Sequence, residues 1–173
     1  MEFLNIQETL SHLFLKEDMT AAEFGAGSAI FTLALAKKLP KGKVFALDIQ
    51  EEKLSALKGR LSVEKISNVS VIHCDLEEPR GSKIDSRSLD VVLIPNTLFQ
   101  TENKYAIMEE ARRILKNGGQ LLVLDWLKQT AFSPKKENMV SPEKVKEIAD
   151  SLGLSLKKEF MAGDYHYALL FIK

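Results

Sequence analysis

The run Glu23-Phe24-Gly25-Ala26-Gly27-Ser28-Ala29, with the Asp48 that closes Val44-Phe45-Ala46-Leu47-Asp48, constrains this chain more than any other feature. A mostly apolar stretch enters a glycine turn and an apolar helical stretch leaves it. A second short apolar run then ends on a carboxylate roughly 20 residues past the first glycine. That layout predicts a β-α-β unit whose turn cradles a nucleotide-like ligand and whose second strand ends at a ribose. Gly25 and Gly27 let the backbone turn tightly and approach a ligand with no Cβ between. The helix opening near Ser28 would aim its free N–H groups at an anionic group. Asp48, acceptor-only when ionised, suits paired ribose hydroxyls. Blander readings compete: glycine turns also join strand to helix without a ligand, and acids favour a helix's first turn.

Strand and helix patterns alternate along the rest of the chain. Strands are expected at 20–24, 44–47, 69–73, 89–94 and 121–124, and helices at 28–39, 51–61, 104–115 and 142–152. Pro40-Lys41-Gly42 and Asn117-Gly118-Gly119 read as helix stops, and Ser141-Pro142-Glu143 as a helix start. Phe3, Ile6, Leu10, Leu13 and Phe14 predict an N-terminal amphipathic helix within residues 1–16. Residues 156–161 and 165–172, joined by Gly163-Asp164, read as a closing hairpin. Residues 127–140 form the longest irregular segment, a candidate lid. The expected fold is α/β: a Rossmann-like, doubly wound, mostly parallel seven-stranded sheet with an antiparallel C-terminal strand, in one domain over 1–173.

Composition removes several functions. Lys+Arg and Asp+Glu both number 24, so no net positive field favours nucleic acid. The lone Cys74 can form neither an internal disulfide nor a thiolate metal cluster, and the three histidines make no metal pattern. No apolar run approaches the roughly 20 residues of a membrane span. Met1-Glu2-Phe3 lacks a basic signal-peptide start, which makes the cytoplasm the expected location. His73, at a strand end, and Cys74, with no Lys or Arg beside it, read as structural.

The glycine spacing resembles motif I of the class I S-adenosylmethionine-dependent methyltransferases, acidic-x-G-x-G-x-G, with Glu23 as the acid and Ala29 at the third glycine. A dinucleotide site would want a glycine where Ile30 stands, which disfavours a nicotinamide oxidoreductase. The likeness extends through residues 89–100 and 114–126 to the C-terminus. It implies S-adenosyl-L-methionine as cofactor, with the Gly25-Ala26-Gly27 turn on its methionine part and Glu23 near its ammonium. It further implies Asp48 on the ribose, Ile49 over the adenine face, and Asp75 with the Leu76 N–H at the adenine edge. Pro95 and Asn96 would lie by the methionine moiety and the transferable methyl. Asp75 as a plain turn acid remains an alternative.

Methyl transfer from a sulfonium asks mostly for alignment and desolvation, so no catalytic base is designated by sequence. The acceptor is expected to be a small apolar or aromatic molecule, walled by the N-terminal helix (Phe3, Leu10, Phe14) and by Trp126, Leu127, Phe132 and Met139. A non-catalytic methyltransferase-like binding module is the alternative, favoured slightly by Ala29. Nothing in the sequence sets the oligomeric state.

Overall fold

Alternation along the buried strands separates two apolar layers. In the computed structural model, which describes residues 4–173, Val92 and Ile94, Leu121 and Val123, and Tyr167, Leu169 and Phe171 face one layer. Val91 and Leu93, Leu122 and Leu124, and Ala168 and Leu170 face the other. Period-2 side-chain alternation makes a single strand serve both. The strands are β1 (Thr20–Phe24), β2 (Lys43–Asp48), β3 (Val69–His73), β4 (Leu89–Pro95), β5 (Leu115–Trp126), β6 (Ser155–Met161) and β7 (His166–Ile172). They form one seven-stranded sheet in the order β3-β2-β1-β4-β5-β7-β6. β7 runs antiparallel to β5 and β6, and the pairs from β3 through β5 are parallel.

Helices cover both faces. α4 (Lys104–Ile114) and α5 (Pro142–Ser151) pack Ile107, Ala111, Val145 and Ile148 onto the first layer. α1 (Ile6–Ser11) and α2 (Ile30–Lys38) pack Leu10, Phe31 and Leu35 onto the second. α3 (Glu51–Val63) adds Leu57 and Leu61 beside Leu33 and Ala46. The α5 start matches its sequence signature: the Ser141 side chain accepts the Lys144 N–H, and Pro142 follows. Among the described residues no helix is long and apolar enough to cross a membrane.

Three sequence expectations need correction. The N-terminal helix spans only Ile6–Ser11; Phe3 lies outside the described residues. Phe14 has already left it, its N–H and carbonyl clasping the Gln120 side chain at 2.9 and 2.8 Å, midway along β5 and away from its Trp126 end. Asn117-Gly118-Gly119 does not stop α4, which ends at Ile114. Instead these residues belong to β5, where its register with β4 shifts between Leu89↔Leu115 and Val91↔Gln120. The extra residues are held by Gly118 N–H to the Lys173 carbonyl (2.8 Å) and Lys173 N–H to the Gly119 carbonyl (3.0 Å). Lys173 Nζ meanwhile caps the helix end at the Arg112 and Leu115 carbonyls, 2.6 Å each.

Candidate functional site

Strand order reverses between β1 and β4, and a cleft of about 450 Å³ opens there, beyond the carboxyl ends of the strands. It is lined by Glu23, Gly25 and Gly27 from the first turn, Asp48 and Ile49 after β2, Asp75 and Leu76 after β3, and Pro95 and Asn96 after β4. Of the residues that the resemblance assigns to the cofactor only Ala26 is missing: it is 1% exposed and packs beside Leu33 and Leu57. Its N–H, like that of Gly25, is spent on the Leu47 carbonyl, at 2.9 and 2.8 Å. The turn therefore presents Gly27 and Ser28, not Ala26, to the cleft.

The glycines have different reasons to be glycine. Gly25 has φ +79°, and a Cβ there would stand 2.3 Å from Thr97 Oγ1. That hydroxyl donates to the Phe24 carbonyl at 2.8 Å, tying the end of β1 to the end of β4. Gly27 instead keeps space open: its Cβ would meet the Lys53 side chain at 3.2 Å and Asp48 Oδ2 at 3.5 Å. Ala29, at the third glycine position of the motif, takes φ +62°, the left-handed region where a side chain costs energy.

Buried charge concentrates at the same end of the sheet. Glu23 is 1% exposed; burial pushes its carboxyl up to about 7, against the Thr32 hydroxyl and backbone N–H that bond it, with Asp48 adding to the rise. Asp48 Oδ1 accepts the Gln50 N–H at 2.9 Å. Asp75 is exposed, its Oδ1 accepting the Glu77 N–H at 2.9 Å. Asn96 has φ +50°, and its Oδ1 is buried with no hydrogen-bond partner. An unsatisfied acceptor and a left-handed non-glycine residue in one cleft wall mark a position held for a ligand rather than for stability. Cys74 also lines the cleft, but burial pushes its thiol up to about 11, consistent with a structural role.

Sequence reasoning missed Lys53, Gln100, Thr101 and Ile107, and gave Thr97 no role; all line the cleft. Lys53 could have been found as a first-turn residue of the helix entered from Asp48; Ile107 carried only a core signal. The expected acceptor walls are not there. Leu10 is buried in the core, and Leu4 and Ile6 replace it at the cleft. No residue of 127–140 reaches this cleft; Pro134, Met139 and Val140 border a neighbouring cavity of about 670 Å³ that shares Gln100 and Thr101 with it. His12 stacks on Phe160 at 3.8 Å, away from the cleft.

A family model described as a methyltransferase domain matches residues 15–166. The chain belongs to the class I S-adenosylmethionine-dependent methyltransferase family. A malonyl-[acyl-carrier protein] O-methyltransferase of Ilyobacter polytropus is 23% identical over 91% of this methyltransferase-family chain and 64% of its own length. A demethylmenaquinone methyltransferase of Bacillus subtilis is 29% identical over 68% of this chain and 50% of its own. The chain thus spans less than two thirds of these relatives. A solved SAM-dependent methyltransferase from Aquifex aeolicus superposes with TM-score 0.89 at 23% identity, covering 98% of this chain and 89% of that one, which carries the fold. The donor set suits the family's cofactor: a carboxylate opposite Gly27, a space that a Cβ would fill, and the unpartnered Asn96 Oδ1.

Proposed function

We propose that this methyltransferase-domain chain transfers a methyl group from S-adenosyl-L-methionine to a small apolar or aromatic acceptor. The observation carrying the reading is the convergence of Glu23, Asp48 and the orphaned Asn96 Oδ1 on one cleft at the sheet's reversal point. Asp48 would hold the ribose hydroxyls, Ile49 and Leu76 would enclose the adenine, and Asp75 would accept from its amino group. The Gly25–Gly27 turn and Glu23 would hold the methionine end, with Pro95 and Asn96 beside the methyl. When bound, the cofactor supplies an already activated sulfonium methyl. The chain's own work is then to align and to exclude water, for which Leu4, Ile6, Ile30, Phe31 and Ile107 provide an apolar lining. That lining, and the demethylmenaquinone named for one relative, support the apolar acceptor.

The test is calorimetric. S-adenosylhomocysteine should bind, and Asp48→Ala should weaken it by about 1.5–3 kcal/mol, the range for hydrogen bonds to a charged group. Unchanged affinity in a folded Asp48→Ala protein would remove Asp48 from the site. The strained Ala29 supports the alternative of a binding module that has lost catalysis; cofactor binding without methyl transfer to any apolar acceptor would favour it.

A further inference from the structure

Residues 127–136 leave the end of β5 and carry Lys128, Lys135 and Lys136, all exposed, with the exposed Glu137 directly after them. Phe132 in their midst is 83% exposed. A hydrogen-bonded turn displays it: Thr130 Oγ1 accepts the N–H groups of Phe132 and Ser133 at 3.1 Å each, and Thr130 N–H donates to Ser133 Oγ at 2.8 Å. The root of the segment is pinned to the β6–β7 turn, Leu127 and Lys128 N–H donating to the Tyr165 carbonyl at 2.8 and 3.3 Å. Leu127 is 39% exposed, and Met161, at the end of β6, 46%.

Register puts these residues at one end of the molecule. Trp126 faces His166 and Met161 faces Tyr167, so Leu127 and Met161 stand at the carboxyl ends of the parallel strands, where the segment that carries Phe132 begins. The cleft opens at that end, and there Ile30 and Ile49 are 46% and 58% exposed. Singly, exposed apolar side chains are ordinary; gathered at one end with a run of cations they mark a surface that meets lipid.

We propose that residues 127–136, with Met161, form a docking surface for an anionic lipid bilayer. Phe132 enters the acyl boundary, and Lys128, Lys135 and Lys136 rest on the headgroups. One weak apolar anchor or a few cations alone bind a bilayer marginally; the two together are the usual requirement. Bound there, the molecule holds the carboxyl ends of its parallel strands, and with them the cleft mouth, toward the lipid. An apolar acceptor then reaches the cleft without crossing water. The inference rests on the apolar acceptor proposed above for its purpose only, since the surface is argued from the loop itself.

The full chain would be sedimented with vesicles of phosphatidylcholine alone and of phosphatidylcholine mixed with phosphatidylglycerol, with S-adenosylhomocysteine titrated into the same preparations. Binding is expected to the mixed vesicles only, falling as salt shortens the screening length. Each Lys→Gln change at 128, 135 or 136 should weaken it about fivefold, and Phe132→Ser about tenfold, with cofactor affinity unchanged. Absent binding, equal binding to both vesicles, or variants that bind like the parent overturn the proposal. So does a Phe132→Ser protein whose sedimentation without lipid shows loss of self-association, which would assign the loop to contact between copies. Vesicle binding by a protein that ignores S-adenosylhomocysteine would sustain the surface while refuting the proposed function.

Discussion

Thr97 and Gly25 show how single residues set the candidate site. The Thr97 hydroxyl reaches the Phe24 carbonyl only because nothing projects from Gly25. Gly25→Ala should therefore cost more than the about 1–2 kcal/mol of a left-handed side chain, because Thr97 must move as well. Thr97→Val, which keeps the shape and removes the donor, should cost about 1 kcal/mol, and Thr97→Ser much less; denaturant melts check both. At Ala29 the strain runs the other way. Ala29→Gly relieves the φ +62° backbone at a smaller entropic cost, so its melting temperature should equal or exceed the parent's. A lower one would show that the left-handed turn is not strained. Gly27→Val should fold yet lose S-adenosylhomocysteine, since its side chain points into the space toward Asp48. Glu23 adds a pH signature. With its carboxyl near 7, a cationic ammonium favours the ionised form, so affinity should strengthen as pH rises through about 7. Glu23→Gln should flatten that profile.

Elements are stopped and joined here by long-range partners. α4 ends at Ile114 because its last carbonyls meet Lys173 from the far end of the chain. The segment between β3 and β4 is held to α4 by buried polar groups. Glu110, 4% exposed, accepts from Arg113 Nε at 2.7 Å and from the Ser82 N–H at 3.1 Å, and Arg113 also reaches the Ile84 carbonyl at 2.7 Å. Arg113→Met would leave a buried carboxylate short of its cation, and should cost about 3 kcal/mol in a denaturant titration. A loss below the noise of the measurement would show that Ser82 alone satisfies Glu110. α1 has a structural share too: Leu10 and Leu13 are buried against α2 and the sheet, so trimming residues 1–14 would open the core as well as the cleft wall.

Across the whole molecule, two buried carboxyls at the strand ends set a pH dependence. Glu23 rises from 4.5 to about 7, and Asp125 from 3.8 to about 7, each chiefly by burial. Asp125 keeps two backbone partners, Trp126 N–H at 2.8 Å and Phe99 N–H at 3.3 Å. The folded state binds these protons more tightly than the unfolded chain does. Their contribution is thus fully present below the unfolded values and is lost as pH rises through about 7. Unfolding free energy of the unliganded protein should fall from about pH 5 to about pH 8. The Glu23→Gln, Asp125→Asn double variant should show a flatter curve over that window.

The local pattern determined the strand and helix alternation, the β1 and β3 bounds, the start of α5 and the strand-end carboxylates Glu23, Asp48 and Asp75, because periodicity and capping are short-range physics. It also pointed to the glycine turn. Three features were decided only in the tertiary structure. Ala26 turns inward because its N–H is claimed by Leu47 on the neighbouring strand, and Asn117-Gly118-Gly119 becomes part of a strand because Lys173 pairs with it. Lys53, Thr97 and Ile107 reach the cleft because the sheet reverses between β1 and β4 and brings separate loops to one place. Hydrogen bonds between distant residues, and the order in which strands lie side by side, leave no periodic trace in the chain.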